Sequence, residues 1–432
     1  MSSLLLLFAL SGCTHRVDAT DSSSLLSSDT GPILQPPGPI EHILLVTNDT
    51  LRPDMVSQDT MPLLVGRMTE GIVLRNEWNV GNWTMHTMPG VMTGKTVVDL
   101  GPAVYQQQLP VVGEEESTLA EILSMNGFAT YWDNGNSLAG SQVNMLQGYN
   151  HVVERNHDDP GDFGNAGDQG NRMVEWVRTQ ETSWFGHIHT IDTHDPYNAP
   201  ADSCNAAVRA LTPACPYDII EGSTDDMNNV ELSAEEHNAC AQAVEAAHRC
   251  EATLLDTLLE EFLVQMETEG FLEKTLLVVT LDHGEGWGEH SWNHHRDLYA
   301  PVTRGLTWFW YPGVDELVFV DQATSQIDLV PTILSLANLT APVVFDGSPI
   351  DALPQDRVVK QFACDPQEKR HGSISADGTR HLLMSMRDAG DTWELYDPIN
   401  DPFELNPLTE TPSTDLVAAI EAQRIQTESY CP

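Results

Sequence analysis

The stretch from Leu276 to Tyr299, LLVVTLDHGEGWGEHSWNHHRDLY, constrains the fold more than any other part of the chain. It opens on Leu276-Leu277-Val278-Val279-Thr280-Leu281, an apolar, β-branched run without polar alternation, as expected of a strand buried on both faces. Such strands belong to parallel sheets covered by helices, and those sheets bind ligands in the crevice beyond their carboxyl ends. Asp282-His283-Gly284-Glu285 stands at that end, and His290, His294 and His295 follow in a loop. A carboxylate beside a neutral imidazole makes a good pair of metal ligands, and Gly284 lets the backbone turn tightly around them. A strand end followed by a polar loop would explain one such pair. It does not explain a second site elsewhere in the chain that answers it.

That second site follows the first expected strand, His42 to Thr47, which runs into Asn48-Asp49-Thr50-Leu51-Arg52. A short helix over Met61 to Glu70, closed by Gly71, and a strand at Ile72-Val73-Leu74 come next. In Asn82 to Gly94, NWTMHTMPGVMTG, Thr84 opens a helix, where a hydroxyl residue ordinarily serves as a cap. Ser117 to Asn126 reads as a helix with a hydroxyl start, Glu121 in its first turns and Gly127 at its end. Strands follow at Phe128 to Trp132 and at Ser183 to Ile191, the second ending in Asp192-Thr193-His194-Asp195-Pro196-Tyr197. Val244, Ala247, Leu254, Leu255, Leu258, Phe262 and Met266 mark the core-facing side of a long helix from about Ser233 to Glu269. Gln326 to Leu339 reads as one more helix.

This alternation predicts an α/β domain over residues 42–355, with a large central, mostly parallel sheet flanked by helices. From residue 356 to 432 short strands and turns, with a last helix near Asp415 to Gln426, predict a small C-terminal α+β subdomain.

The chain carries 64 acidic and 20 basic residues, a net charge of -44. Such a surface repels nucleic acid and anionic membranes, so a phosphate-backbone reader is excluded. An anionic substrate must then meet a local positive focus, for which a metal is the natural choice. The first ten residues form an apolar segment too short to span a bilayer. It runs into Leu10-Ser11-Gly12-Cys13, which resembles a bacterial lipobox, although no Lys or Arg precedes it. Residues 1–13 are thus expected to be a lipoprotein-type signal with Cys13 as the lipidated residue. Residues 14–41, rich in Ser, Asp, Thr and Pro, are expected to be a disordered tether reaching on the order of 30 Å. The expectation is an exported lipoprotein of the bacterial envelope that meets the membrane only through this anchor.

Export makes disulfides the default for Cys204, Cys215, Cys240, Cys250, Cys364 and Cys431. Cys240 and Cys250 share the long helix, about 15 Å apart, and cannot bridge each other. Each is expected to pair with Cys204 or Cys215, leaving Cys364 with Cys431. A zinc knuckle lacks the tight Cys-x-x-Cys spacing it would need.

In order along the chain stand VTNDTLRPD, WTMHTMPGVMTG, TLAEILSMNGFATYWDNGN, HTIDTHDPY, TLLVVTLDHGEGWGEH, QIDLVPTILSLANL and WELYDPINDPFELNPL. Together they resemble the sulfatase branch of the alkaline phosphatase superfamily. The resemblance implies a metal at the carboxyl ends of the strands and a nucleophile at a helix N-terminus. Sulfatases carry a Cys-x-Pro-x-Arg signature whose Cys becomes formylglycine. Here Thr84 stands at the Cys position, His86 at the Pro and Met88 at the Arg, so no formylglycine can form. Relatives that hydrolyse phosphodiesters use Thr as the nucleophile.

On this reading Asp49, Thr84, Asp282 and His283 hold one divalent ion, and coordination activates the Thr84 hydroxyl. The nitrogen ligand favours manganese or zinc, with calcium and magnesium as alternatives. His194 and either His294 or His295 hold the anion or protonate the leaving group. His290 and Lys95 are further substrate-binding candidates, and His189 reads equally as a core histidine or one that backs a ligand. The expected activity is cleavage of phosphate mono- or diesters through Thr84. A sulfuric ester hydrolase is the alternative. A surface binding module without turnover is a third reading, favoured by Met88 and by Thr50, which replaces a second metal-binding Asp.

Overall fold

Three apolar runs hydrogen-bond side by side as parallel strands, and the main sheet grows outward from them. The computed structural model describes residues 35–100, 112–154, 165–197, 208, 214–219, 222–364, 369–387 and 390–428. Cys13, most of the tether, Cys204 and Cys431 lie outside the described residues. The main sheet comprises β1 (His42–Asn48), β2 (Gly71–Trp78), β3 (Ala129–Asn134), β4 (His151–Glu154), β5 (Trp184–Thr190), β6 (Thr275–Leu281), β7 (Arg304–Trp310), β8 (Leu317–Val320) and β9 (Thr324–Ser325). Its order is β4-β3-β5-β1-β6-β7-β2-β8, with β9 also on β2. β7 alone runs antiparallel to its neighbours, so the sheet is mixed but mostly parallel, as the alternation predicts.

Every residue of β5 and β6 is buried, because both faces are covered. Leu44, Val46, Leu277 and Val279 point into one core, shared with the helices Ala166–Val177 and Ala234–Thr268. Their alternates Ile43, Leu45, Leu276 and Val278 point into the other, with Thr84–Thr93, Leu119–Met125 and Leu329–Leu336. The period of two along each strand sends successive side chains to opposite faces, so an unbroken apolar run is what a central strand requires.

Local signals set the ends of several helices. Thr118 and Glu121 form a reciprocal capping box, as do Ser233 and Glu236 at the start of the 35-residue helix. The helix expected over Gln326 to Leu339 is a 3-10 turn, Gln326–Asp328, followed by Leu329–Leu336. No helix among the described residues is long and apolar enough to cross a membrane.

Four antiparallel strands, β10 (Val359–Cys364), β11 (Lys369–Ile374), β12 (His381–Met386) and β13 (Thr392–Tyr396), form the second sheet. The last helix, Thr414–Thr427, packs Leu416 and Ile420 against Leu382, Met384 and Leu395 of this sheet. Cys215 is bridged to Cys240, which staples its segment to the long helix. Cys250 and Cys364 are also disulfide-bonded.

Candidate active site

The central strands end together. Asn48 lies opposite both Thr190 and Leu281, so Asp49 and Asp282 leave the sheet side by side. Thr47 pairs with His189 and with Thr280, and in parallel strands paired residues share a face. His189 therefore joins Asp49 and Asp282 on the same face, from inside a strand rather than from a loop.

Opposite them the helix Thr84–Thr93 begins. Its N-cap is Trp83, in an extended conformation, and no side chain caps it, so Thr84 does not serve as a cap. Its hydroxyl turns to the carboxylates: Oγ1 lies 3.2 Å from Asp282 Oδ2 and 3.4 Å from Asp49 Oδ2. The same oxygen is 3.3 Å from His283 Nε2 and 3.2 Å from Asn136 Nδ2. Asn136 also donates to Asp49 Oδ2 at 2.7 Å. His283 Nδ1 donates to the Gly284 carbonyl at 2.9 Å, which leaves the lone pair of Nε2 facing the site. That Nε2 lies 3.5 Å from Asp49 Oδ1 and 3.4 Å from Asp282 Oδ2. His189 Nε2 is 3.3 Å from Asp49 Oδ2, and its Nδ1 is 2.7 Å from Thr47 Oγ1.

Asp49, Thr84, Asp282 and His283 are thus brought together, with His189 and Asn136 in addition. Asp49, His189 and Asp282 present ligand atoms within 4.8 Å of one another. Asp49 Oδ1, His189 Nε2 and the Thr50 hydroxyl are buried without a hydrogen-bond partner. Orphaned oxygen and nitrogen donors around two carboxylates fit a divalent cation. Thr50 has a left-handed backbone, φ 56°, which is strained for a β-branched residue. In that conformation its N–H donates to Asp282 Oδ1 at 3.1 Å.

The electrostatics are those of a desolvated cluster. Burial opposes the charge on Asp49, but His189, His194 and His283 outweigh it and hold its carboxyl below the ordinary range. Burial and the Asp49 charge push Asp282 well above that range. Burial lowers His283 to about 4 against the pull of Asp49, so it is a neutral donor.

The histidines divide by position. His194 is half-buried; burial opposes its charge, but Asp195, 3.2 Å away, and Asp49 raise it to about 10, so it is an imidazolium at neutral pH. His294 is buried, with Nδ1 3.2 Å from Glu285 Oε1, and its ring lies 4.3 Å from that of His283 and 5.2 Å from that of His194. Burial drives both His294 and Glu285 toward their neutral forms. His295 is exposed, its ring 4.3 Å from His294 and edge-on to Trp83. His290 lies apart from this group. It is exposed, stacks on Tyr299 and meets the Phe403 carbonyl at 2.8 Å. Lys95 sits beyond the far end of the Thr84–Thr93 helix, about 15 Å along its axis, and pairs with Glu116 at 2.7 Å. Met88 is fully buried in an apolar core.

The sequence points to no role for Asn136 or Glu285, and offers His189 only as a core histidine or one that backs a ligand. His189 lies within an apolar strand and Asn136 within a polar turn, where only the register and the fold of the loop aim them at Asp49.

The sulfatase family model matches residues 41–339, and the model for the C-terminal region of N-sulphoglucosamine sulphohydrolase matches residues 288–429. An ulvan-active sulfatase of Formosa agariphila is 25% identical over 290 residues, 61% of this chain and 54% of that protein. The chain spans about half the length of this relative, and no more than 60% of the other curated relatives it matches. A phosphonate monoester hydrolase of Agrobacterium radiobacter superposes with a TM-score of 0.66 at 15% identity, covering 91% of this chain and 95% of its own. A protein solved with its substrate D-glucosamine-2-N,6-O-disulfate superposes at 0.65 with 16% identity, covering 90% of this chain and 98% of its own. At such identities these likenesses speak for the fold.

Proposed function

The chain belongs to the sulfatase family, and on that premise we propose that it is a metal-dependent hydrolase that cleaves phosphate mono- or diesters with Thr84 as nucleophile. The observation that carries this reading is a helix-opening hydroxyl, without a capping role, set against Asp49, Asp282 and His283. Asp49, Asp282, His283 and His189 would hold the ion, and the nitrogen donors favour manganese or zinc. When bound, a divalent ion neutralises substrate charge and makes the neighbouring hydroxyl a stronger nucleophile.

The residues supply the rest. Thr84 Oγ1 forms the new bond to phosphorus as the bond to the leaving oxygen breaks, and its proton passes to Asp282 Oδ2, to which it already donates. His194, charged at neutral pH, holds the oxygens of the anion. The same imidazolium has a proton to give the leaving oxygen, while His294, neutral and oriented by Glu285, faces it. Water then hydrolyses the phosphothreonine, returning one proton to His194 as Asp282 returns its own to the Thr84 oxygen. His295, exposed beside Trp83, lines the approach.

Sulfate esters are the second reading, favoured by relatives whose names and ligands are sulfatases and a sulfated sugar. Thr84 argues for phosphorus. Formylglycine hydrate can expel sulfate by collapse of its geminal diol, whereas a threonine sulfate ester must be cleaved by water. The test is a panel of aryl phosphate mono- and diesters, phosphonate esters and sulfates, with and without metal removal. We expect phosphorus esters to turn over faster than the matched sulfate, and chelation to abolish turnover. Faster sulfate cleavage would make the protein a sulfatase working without formylglycine. No turnover and no bound metal would leave the binding-module reading.

We further propose export as a lipoprotein anchored through Cys13; the disulfide chemistry at Cys215, Cys240, Cys250 and Cys364 supports an oxidising location. Labelled palmitate should enter the wild type and not Cys13→Ala.

A further inference from the structure

The loop after β3 brings one more group to the nucleophile. Asn136 is buried, and its Nδ2 donates both to Asp49 Oδ2 at 2.7 Å and to Thr84 Oγ1 at 3.2 Å. Its own orientation is fixed from three sides. Asn136 Oδ1 accepts from the Leu138 N–H at 2.9 Å, its backbone N–H donates to Asn134 Oδ1 at 2.8 Å, and Asn134 Nδ2 returns to its carbonyl. Gly135, between the two asparagines, lets the loop lie against β5: its N–H bonds the His189 carbonyl at 2.8 Å, and a Cβ there would come within 2.9 Å of Ile191 Cγ2.

A nucleophilic hydroxyl must surrender its proton and still be held. Thr84 donates toward Asp282, so its lone pairs are open to donors. Among the described residues, Asn136 supplies the amide N–H that points at this oxygen. Unlike an imidazole, an amide cannot take up the departing proton. It is a fixed dipole that strengthens as charge gathers on Oγ1 and again when Oγ1 leaves the phosphothreonine. We propose that Asn136 is a catalytic residue: its side-chain amide grips the Thr84 oxygen while that oxygen gains and loses its bond to phosphorus. The proposal rests on the reading of Thr84 as nucleophile given above.

The rival explanation is that Asn136 merely orients Asp49, and hence the metal. Metal affinity separates the two, because either Asn136 variant loses the donor to Asp49 together with the donor to Thr84. A role through Asp49 alone shows as weakened Mn²⁺ binding that more Mn²⁺ repairs, whereas a role at Thr84 persists once Mn²⁺ is saturating. Wild type, Asn136→Asp, Asn136→Ala and Thr84→Ala are compared at saturating Mn²⁺ on the same aryl phosphate ester, with Mn²⁺ affinity and orthovanadate binding measured alongside. We expect both Asn136 variants to remain folded by circular dichroism, and kcat to fall about 100-fold or more. KM should stay within a few-fold, vanadate affinity should fall in parallel, and added Mn²⁺ should restore nothing. A kcat within a few-fold of wild type, or full recovery at higher Mn²⁺, overturns the proposal; if Thr84→Ala is inactive in that experiment, the nucleophile reading stands without it. A wild type that neither cleaves the ester nor binds vanadate overturns both.

Discussion

At Thr84 the hydroxyl does not cap its helix, and its contacts go to two carboxylates and to Asn136 at the site. Thr84→Ala should therefore abolish turnover while leaving thermal stability nearly unchanged, since alanine is the better helix former. Thr84→Ser keeps the hydroxyl and should retain part of the rate. Full activity in Thr84→Ala, with a matched melting curve, would move the nucleophile elsewhere. His189 makes a different prediction. If its Nε2 is a ligand, His189→Ala should weaken Mn²⁺ or Zn²⁺ binding by about tenfold or more in a chelator competition, whether or not substrate is present. Asp49, Asp282 and His283 could be picked out from the sequence because each follows directly on an apolar strand. His294 and His295 could not be told apart that way; burial and the Glu285 contact distinguish them.

Among the elements, β2 carries a buried carboxyl away from the site. Burial is the main reason Glu77 rises to about 8; Thr307, donating to it at 2.7 Å, works against the rise and Asp328 adds to it. The folded state therefore keeps a proton that the unfolded chain has released above the ordinary value of 4.5. Stability should fall as pH rises from there to about 8 and level off above, because only the native state binds that proton. Glu77→Gln should flatten this slope by about one proton's worth, read from melting points between pH 5 and 8. Equal slopes in the two proteins would show that Glu77 is ionised throughout. The long helix makes the other element-scale case. The Cys215–Cys240 bridge spans 25 residues of sequence, and Cys215→Ser should lower unfolding stability by about 3 kcal/mol in urea melts. The helical period excluded a bridge from Cys240 to Cys250, but choosing between the two upstream cysteines needed the fold.

Over the whole molecule the net charge of -44 is carried by a chain whose central strands have a core on each face. Self-repulsion of that size weakens the compact state, and salt screens it. Raising NaCl from about 0.02 to 0.5 M should raise the melting temperature by several degrees, provided the metal is saturating in both. A flat or falling curve would show that local ion pairs, such as those of Arg52 with Asp54 and Glu289, outweigh the global field.

The sequence by itself determined the α/β class, the main strands and capped helices, and three of the acidic and imidazole groups at the strand exits. Those signals are local: apolar periodicity, capping boxes and residues that directly follow a buried strand. Only the tertiary structure decided that His189 and Asn136 join Asp49, that His290 turns to Phe403, and that Lys95 pairs with Glu116 at the wrong end of its helix. Each of these depends on strand register or on how a loop returns to the sheet. A one-residue shift in register turns a strand side chain to the opposite face without altering the composition that precedes it.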